Sequence, residues 1–151
     1  MGIVLAFNLL LLATCGYAIS MGGPPERWVG LALLLAAAST ILVHMPRVDV
    51  HFRSLETELL IIDGALLAAL FAVAIRANRY WPLWTTAIHA TAVAVHIAKA
   101  INPSIVWPIY ATAASASSIP IQLILAWATF RHRRRLKRFG NDAPWGRSWR
   151  S

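Results

Sequence analysis

Apolar residues in this chain run in long blocks, with neither strict alternation nor a narrow helical stripe. Five such blocks can be read: Ile3 to Met21, Trp28 to Met45, Thr57 to Ile75, Pro82 to Ile101, and Val106 to Phe130. Each approaches the roughly 20 residues that span about 30 Å of hydrocarbon at 1.5 Å per residue. Strands are excluded, because lipid offers no partner for open backbone groups and no block has the period of a membrane barrel. The expected fold class is all-α, an integral membrane bundle of about five transmembrane helices.

The breaks between blocks are Gly22-Gly23-Pro24-Pro25, Pro46 with its polar successors, Arg76 to Tyr80 ahead of Trp81-Pro82, and Asn102-Pro103. Proline removes a backbone donor and restricts the residue before it, so helices stop there. Short connections make consecutive helices antiparallel neighbours. No internal repeat is present, which speaks against an inverted-repeat transporter. In the last block Pro120 cannot bond the carbonyl of Ala116, which predicts a kink. Ahead of it Ala111, Ala114, Ser115 and Ser118 form a small-residue face that lets helix backbones approach. That face could pack on its own bundle, on another subunit or on a flat, pigment-like ligand.

Composition strengthens the membrane reading: of 151 residues 58% are hydrophobic and 13% charged, against an apolar share of about 45–50% in soluble domains. Residues 1–130 read as the transmembrane bundle and 131–151 as a basic cytoplasmic tail, leaving no room for a folded soluble domain. The net charge of +8 resembles a nucleic-acid footprint until its placement is considered, since eight of the fourteen Lys and Arg follow Phe130. Arg131, Arg133, Arg134, Arg135, Lys137 and Arg138 therefore read as a topology anchor that also attracts anionic lipid, with no nucleic acid implied. Counting Lys and Arg at block ends puts the N-terminus outside and the C-terminus inside, with Arg27, Arg76 and Arg79 inside and Arg47, Arg53 and Lys99 outside. Trp28, Tyr80, Trp81, Trp84 and Trp127 then fall at inner ends and Trp107 at an outer end. Trp145 and Trp149 could return the tail to the interface. The lone Cys15 precludes an internal disulfide, and the start of the chain lacks the basic region of a signal peptide, so the first block reads as a retained helix.

Ionisable side chains inside an apolar block cost about 2.5–3.5 kcal/mol at the bilayer centre, so each needs a partner or a purpose. Thr85, His89, His96 and Lys99 share one face of the fourth helix. Folding the third and fourth blocks about Asn78 and Arg79 sets Glu58 level with Lys99 and Asp63 within a turn of His96. Two readings of this polar ladder compete. Asp63 with His96 and Glu58 with Lys99 are register-fixing pairs, each worth about 0.6 kcal/mol, or Asp63, His96 and His89 form a proton or ion path. A third reading places a haem between His44 and His96 as axial ligands. His51 and His132 read as surface histidines, and no metal cluster is expected.

Arg79-Tyr80-Trp81-Pro82-Leu83-Trp84, His96-Ile97-Ala98-Lys99 and Tyr110-Ala111-Thr112-Ala113 resemble small uncharacterised inner-membrane proteins of alphaproteobacteria. The resemblance implies a multi-pass protein of the bacterial inner membrane and carries no activity with it. No base-activated nucleophile or other catalytic constellation is present. The leading expectation is a non-enzymatic accessory or assembly subunit that binds other membrane subunits and needs no cofactor. The alternatives are a small proton or ion channel or proton-coupled transporter using Asp63, His89 and His96, and a b-type haem protein.

Overall fold

The structure, a computed structural model, describes residues 2–44, 52–102 and 104–142. Arg47, His51, Trp145 and Trp149, and the side chains of Arg53, Trp107, Ala111 and Ala114, lie outside the described residues. The chain is all-helical there, with α1 at Gly2–Met21, α2 at Pro24–Val43, α3 at Phe52–Arg76, α4 at Trp81–Ile101, α5 at Trp107–Ser115 and α6 at Ser118–Phe139.

Three helices begin on proline: Pro24 and Pro25, Pro82 and Pro108 occupy first-turn positions of α2, α4 and α5. The first turn needs no internal donor, and the fixed φ of proline suits it. For that reason α2 starts at Pro24 and not at Trp28. The fifth apolar block is two helices, because the chain turns at Ala116 and Ser117 just ahead of Pro120. The basic run is not a separate tail. Arg and Lys are good helix formers, and α6 continues through Phe139 until Gly140, at φ 73°, caps it by donating to the Leu136 carbonyl.

Each helix packs on its sequence neighbour apart from the α5–α6 break, and α6 closes the bundle against α1, α2 and α4. The end that holds the α1–α2 turn, the α3–α4 turn and the last turns of α6 is here called the basic end. Leu11, Cys15 and Ala18 of α1 meet Val29, Leu70 and Leu125 in one apolar cluster. Around it the outer surface is strongly apolar: Leu5, Leu9, Leu12, Leu35 and Ile61 are each more than half exposed. Several buried side chains are polar, among them Thr14, Glu26, Thr85, His89, His96, Gln122 and Thr129.

Among the described residues two helices are long and apolar enough to cross a membrane, α2 over Pro24–Val43 and α3 over Thr57–Arg76, and Leu5–Met21 within α1 is a shorter apolar stretch. This is fewer than the five expected, for identifiable reasons. His89, His96 and Lys99 dilute α4, and the turn at Ala116 leaves α6 with only its first half apolar before Arg131.

The α1–α2 turn is sterically tight. A Cβ on Gly22 would lie 2.4 Å from the Ala18 carbonyl oxygen and 2.6 Å from the Glu26 Cβ. Gly22→Ala is therefore expected to destabilise the bundle by about 1–3 kcal/mol, as overpacking does elsewhere. Thermal unfolding in detergent checks this; an unchanged midpoint would show that the turn has slack.

Candidate functional site

Asp63 of α3, His89 and His96 of α4, and Tyr110 of α5 form a hydrogen-bonded chain in the half of the bundle away from the basic end. His96 Nε2 lies 2.6 Å from Asp63 Oδ2, and its Nδ1 lies 2.7 Å from the Tyr110 hydroxyl. The two rings meet edge-on at 5.4 Å. His96 and Tyr110 are both buried, at 7% and 3% exposure. An ionised carboxylate only accepts, so Nε2 carries the proton toward Asp63, and in the neutral ring Nδ1 accepts the Tyr110 O–H. His89, equally buried, donates from Nε2 to the Asp63 main-chain carbonyl at 3.1 Å, and the same nitrogen is 3.8 Å from Asp63 Oδ1. The seven-residue interval between the histidines keeps both on the face of α4 that meets α3.

The other sequence candidates sit differently. Lys99 Nζ donates to the Ile105 carbonyl at 2.7 Å and ties the end of α4 to the loop before α5. Glu58 is half-buried on α3, and both it and Lys99 have polar partners. His44 is exposed, its Nδ1 2.8 Å from the Thr40 carbonyl. Both ring nitrogens of His96 are engaged, so haem ligation by His96 requires breaking its bond to Asp63 or to Tyr110. Ser115 is exposed and Ser118 half-buried, and both hydroxyls donate back to helix carbonyls, those of Thr112 and Ser115.

A second polar cluster, at the basic end, is absent from the sequence reading. After Gly140 the chain reverses and returns Asp142 to α6. Its carboxylate accepts from Arg135 Nε at 2.6 Å and Nη2 at 3.2 Å, from Arg79 Nη2 at 2.7 Å, and from His132 Nδ1. Burial pushes the Asp142 carboxyl up, but the bonds from Arg135, His132 and Arg79 outweigh it and hold the group well below the usual carboxylate range. His132, expected on the surface, is buried because this ion cluster covers it. Arg135 and Arg79 are likewise bound within the protein. Arg131 lies over the Trp127 ring at 4.7 Å, Arg133 reaches the Met21 sulfur, and Arg134, Lys137 and Arg138 are exposed.

Beside this cluster is Glu26, fully buried in the first turn of α2, with neither carboxylate oxygen partnered among the described residues. A Cβ on Gly23 would lie 3.1 Å from Glu26 Oε2 and 3.1 Å from His132 Nδ1, so carboxylate and imidazole flank the same point. Sequence offered only a weak signal: an acid in a first turn reads as a helix-dipole partner at the surface. Between the two clusters lies Gln122, 1% exposed, with its side-chain oxygen unpartnered among the described residues. Trp84 and Trp127 line one recess on antiparallel α4 and α6, so levels match where residue numbers sum to about 211; this sets Gln122 at about the level of His89. Thr85 and Thr129 follow toward the basic end, both fully buried. Buried polar groups thus recur between the helices from Tyr110 of α5 to Glu26 of α2.

No protein-family model matches the chain, and comparison with curated proteins and with solved structures finds no match.

Proposed function

We propose that this chain is a five-crossing protein of the bacterial inner membrane, N-terminus outside and C-terminus inside, that conducts protons along its polar interior. In this topology α1 to α4 each cross once, and α5 with the apolar half of α6 forms the fifth crossing. The apolar outer surface supports the membrane reading, because a water-soluble monomer rarely exposes so continuous an apolar area. Lys and Arg gathered at one end support the orientation.

The observation that carries the proton reading is the buried chain Asp63–His96–Tyr110. When the Tyr110 hydroxyl passes its proton to His96 Nδ1 and its oxygen is reprotonated from the outer side, His96 becomes an imidazolium. Release of the Nε2 proton to Asp63 then yields a neutral carboxylic acid and the opposite imidazole tautomer. His89 Nε2 is 3.8 Å from Asp63 Oδ1 and takes that proton once the ring holds its hydrogen on Nδ1 and releases the Asp63 main-chain carbonyl; Gln122 and Glu26 are the buried polar groups nearer the basic end. Membrane-buried ionisable groups in such series serve proton relays in pumps and transporters. In vesicles loaded with a pH-sensitive dye, the protein is expected to speed decay of an imposed pH step; decay no faster than in protein-free vesicles would overturn the proposal.

Glu26 supplies a test that separates relay from scaffold. Glu26→Gln keeps the side-chain shape and removes the exchangeable carboxyl, so proton movement should fall by about a hundredfold, the low end for acid–base groups. Thermal stability should not fall, since the carboxylate has no partner to lose among the described residues. Lower stability with unchanged flux would assign Glu26 to structure alone.

A second reading, an accessory or assembly subunit of a larger membrane complex, is supported by the exposed small residues Thr112, Ser115 and Ala116 at the α5–α6 break. Hydroxyls turned back onto their own backbone leave a surface on which another helix can pack closely. Under that reading native protein in mild detergent migrates with a partner; a lone monomer would remove it.

A further inference from the structure

We propose that the recess between the start of α4 and the last turns of α6 binds the phosphate of one anionic phospholipid. This site rests on the membrane reading above and is independent of proton conduction.

The recess holds about 290 Å³ and is walled by Arg79, Tyr80, Trp81 and Trp84 on one side and by Trp127, Arg131 and Arg135 on the other. Three features make it an anion site. First, it lies at the N-terminus of a 21-residue helix whose cap residue, Tyr80, makes no side-chain capping bond, so the positive helix end lacks a side-chain partner there, although Pro82 has no N–H and the Leu83 N–H donates to the Tyr80 carbonyl. Second, Trp81 is 8% exposed, and its indole N–H is a buried donor with no acceptor among the described residues. An indole N–H only donates, so what it lacks is an oxygen. Third, three guanidinium groups line one small space and Asp142 neutralises only part of their charge: Arg79 and Arg135 bind it, while Arg131 lies over the Trp127 ring. Among the described residues one carboxylate stands against these three guanidiniums, so the recess is net positive.

The surroundings identify the source of the phosphate. Tyr80, Trp84 and Trp127 are 83%, 66% and 53% exposed around the rim, and such rings sit at headgroup depth in a bilayer. One turn deeper than Trp127, Leu123 presents exposed apolar surface that would meet acyl chains, and Leu83 and Phe130 are exposed at the level of the rim. A free phosphate would use the arginines and leave this aromatic and aliphatic rim without function.

The test uses full-length protein stripped of lipid in a neutral detergent, with native mass spectrometry to count adducts. Phosphatidylglycerol, phosphatidylcholine and inorganic phosphate are titrated separately. The expected result is one tightly held phosphatidylglycerol, little phosphatidylcholine, and no displacement by millimolar phosphate. Arg131→Gln, which removes a guanidinium with no carboxylate contact among the described residues, should weaken that binding at least fivefold. Arg134→Gln, an exposed arginine outside the recess, should leave it unchanged. Equal weakening by both variants would assign the affinity to diffuse charge on α6 and overturn the site. Phosphate bound as well as phosphatidylglycerol would overturn the lipid assignment. Release of the protein from bacterial membranes by a carbonate wash would instead refute membrane embedding itself.

Discussion

Asp63→Asn is expected to reduce proton movement by about a hundredfold, within the range that a positioned acid–base group contributes. The asparagine oxygen can still accept from His96 Nε2, so the α3–α4 contact keeps its geometry. What disappears is the capacity to take up the proton and the negative charge that draws it. Because polar contacts between membrane helices average about 0.6 kcal/mol, the melting midpoint should move little. A variant that conducts like wild type would reduce the Asp63–His96 contact, at 2.6 Å, to a structural strut.

Removing the carboxylate at the basic end should have the largest effect on stability. Asp142→Ala leaves Arg79, Arg135 and His132 facing one another with no anion. Loss of one partner from a buried ion pair costs about 3–5 kcal/mol. Arg135 is 30% exposed and its charge is partly screened by water, so about 2–3 kcal/mol is expected here. Limited trypsin digestion gives a second readout, since α6 beyond Arg131 should open in the variant. The pH dependence follows from the sign of the shift. Asp142 is held below its unfolded value of about 3.9, so its contribution is full above that pH and is lost as pH falls through the folded value. The gap in melting temperature between wild type and Asp142→Ala should be wide at neutral pH and close below about pH 4. An equal gap at every pH would mean that the carboxylate charge contributes nothing.

The helices were legible in the sequence because their exposed and core faces are both apolar, which leaves long apolar blocks, and proline marks the starts of three of them. The meeting of Asp63 with His96 was legible because a short antiparallel hairpin fixes relative depth by counting alone. The return of Asp142 was not, since it depends on one left-handed residue, Gly140, reversing the chain after a helix whose basic run resembled a solvated tail. Glu26 was missed for a related reason. Its burial arises from packing of the α1–α2 turn against His132, two elements about a hundred residues apart with no local signal connecting them. Tyr110 sits in the resemblance motif, yet its role as partner of His96 depends on how α5 folds back onto α4, which no local pattern signals.

Proton conduction through the bundle is tested most directly by the reversal potential of current across a planar bilayer holding the purified protein. With a pH difference between the two chambers and other ions equal, selective proton passage predicts a shift of about 59 mV per pH unit, the value for one charge per tenfold ratio. The current should be lost in Asp63→Asn. A bilayer no more conductive than lipid alone, or a reversal potential that follows potassium or chloride instead of pH, would contradict it.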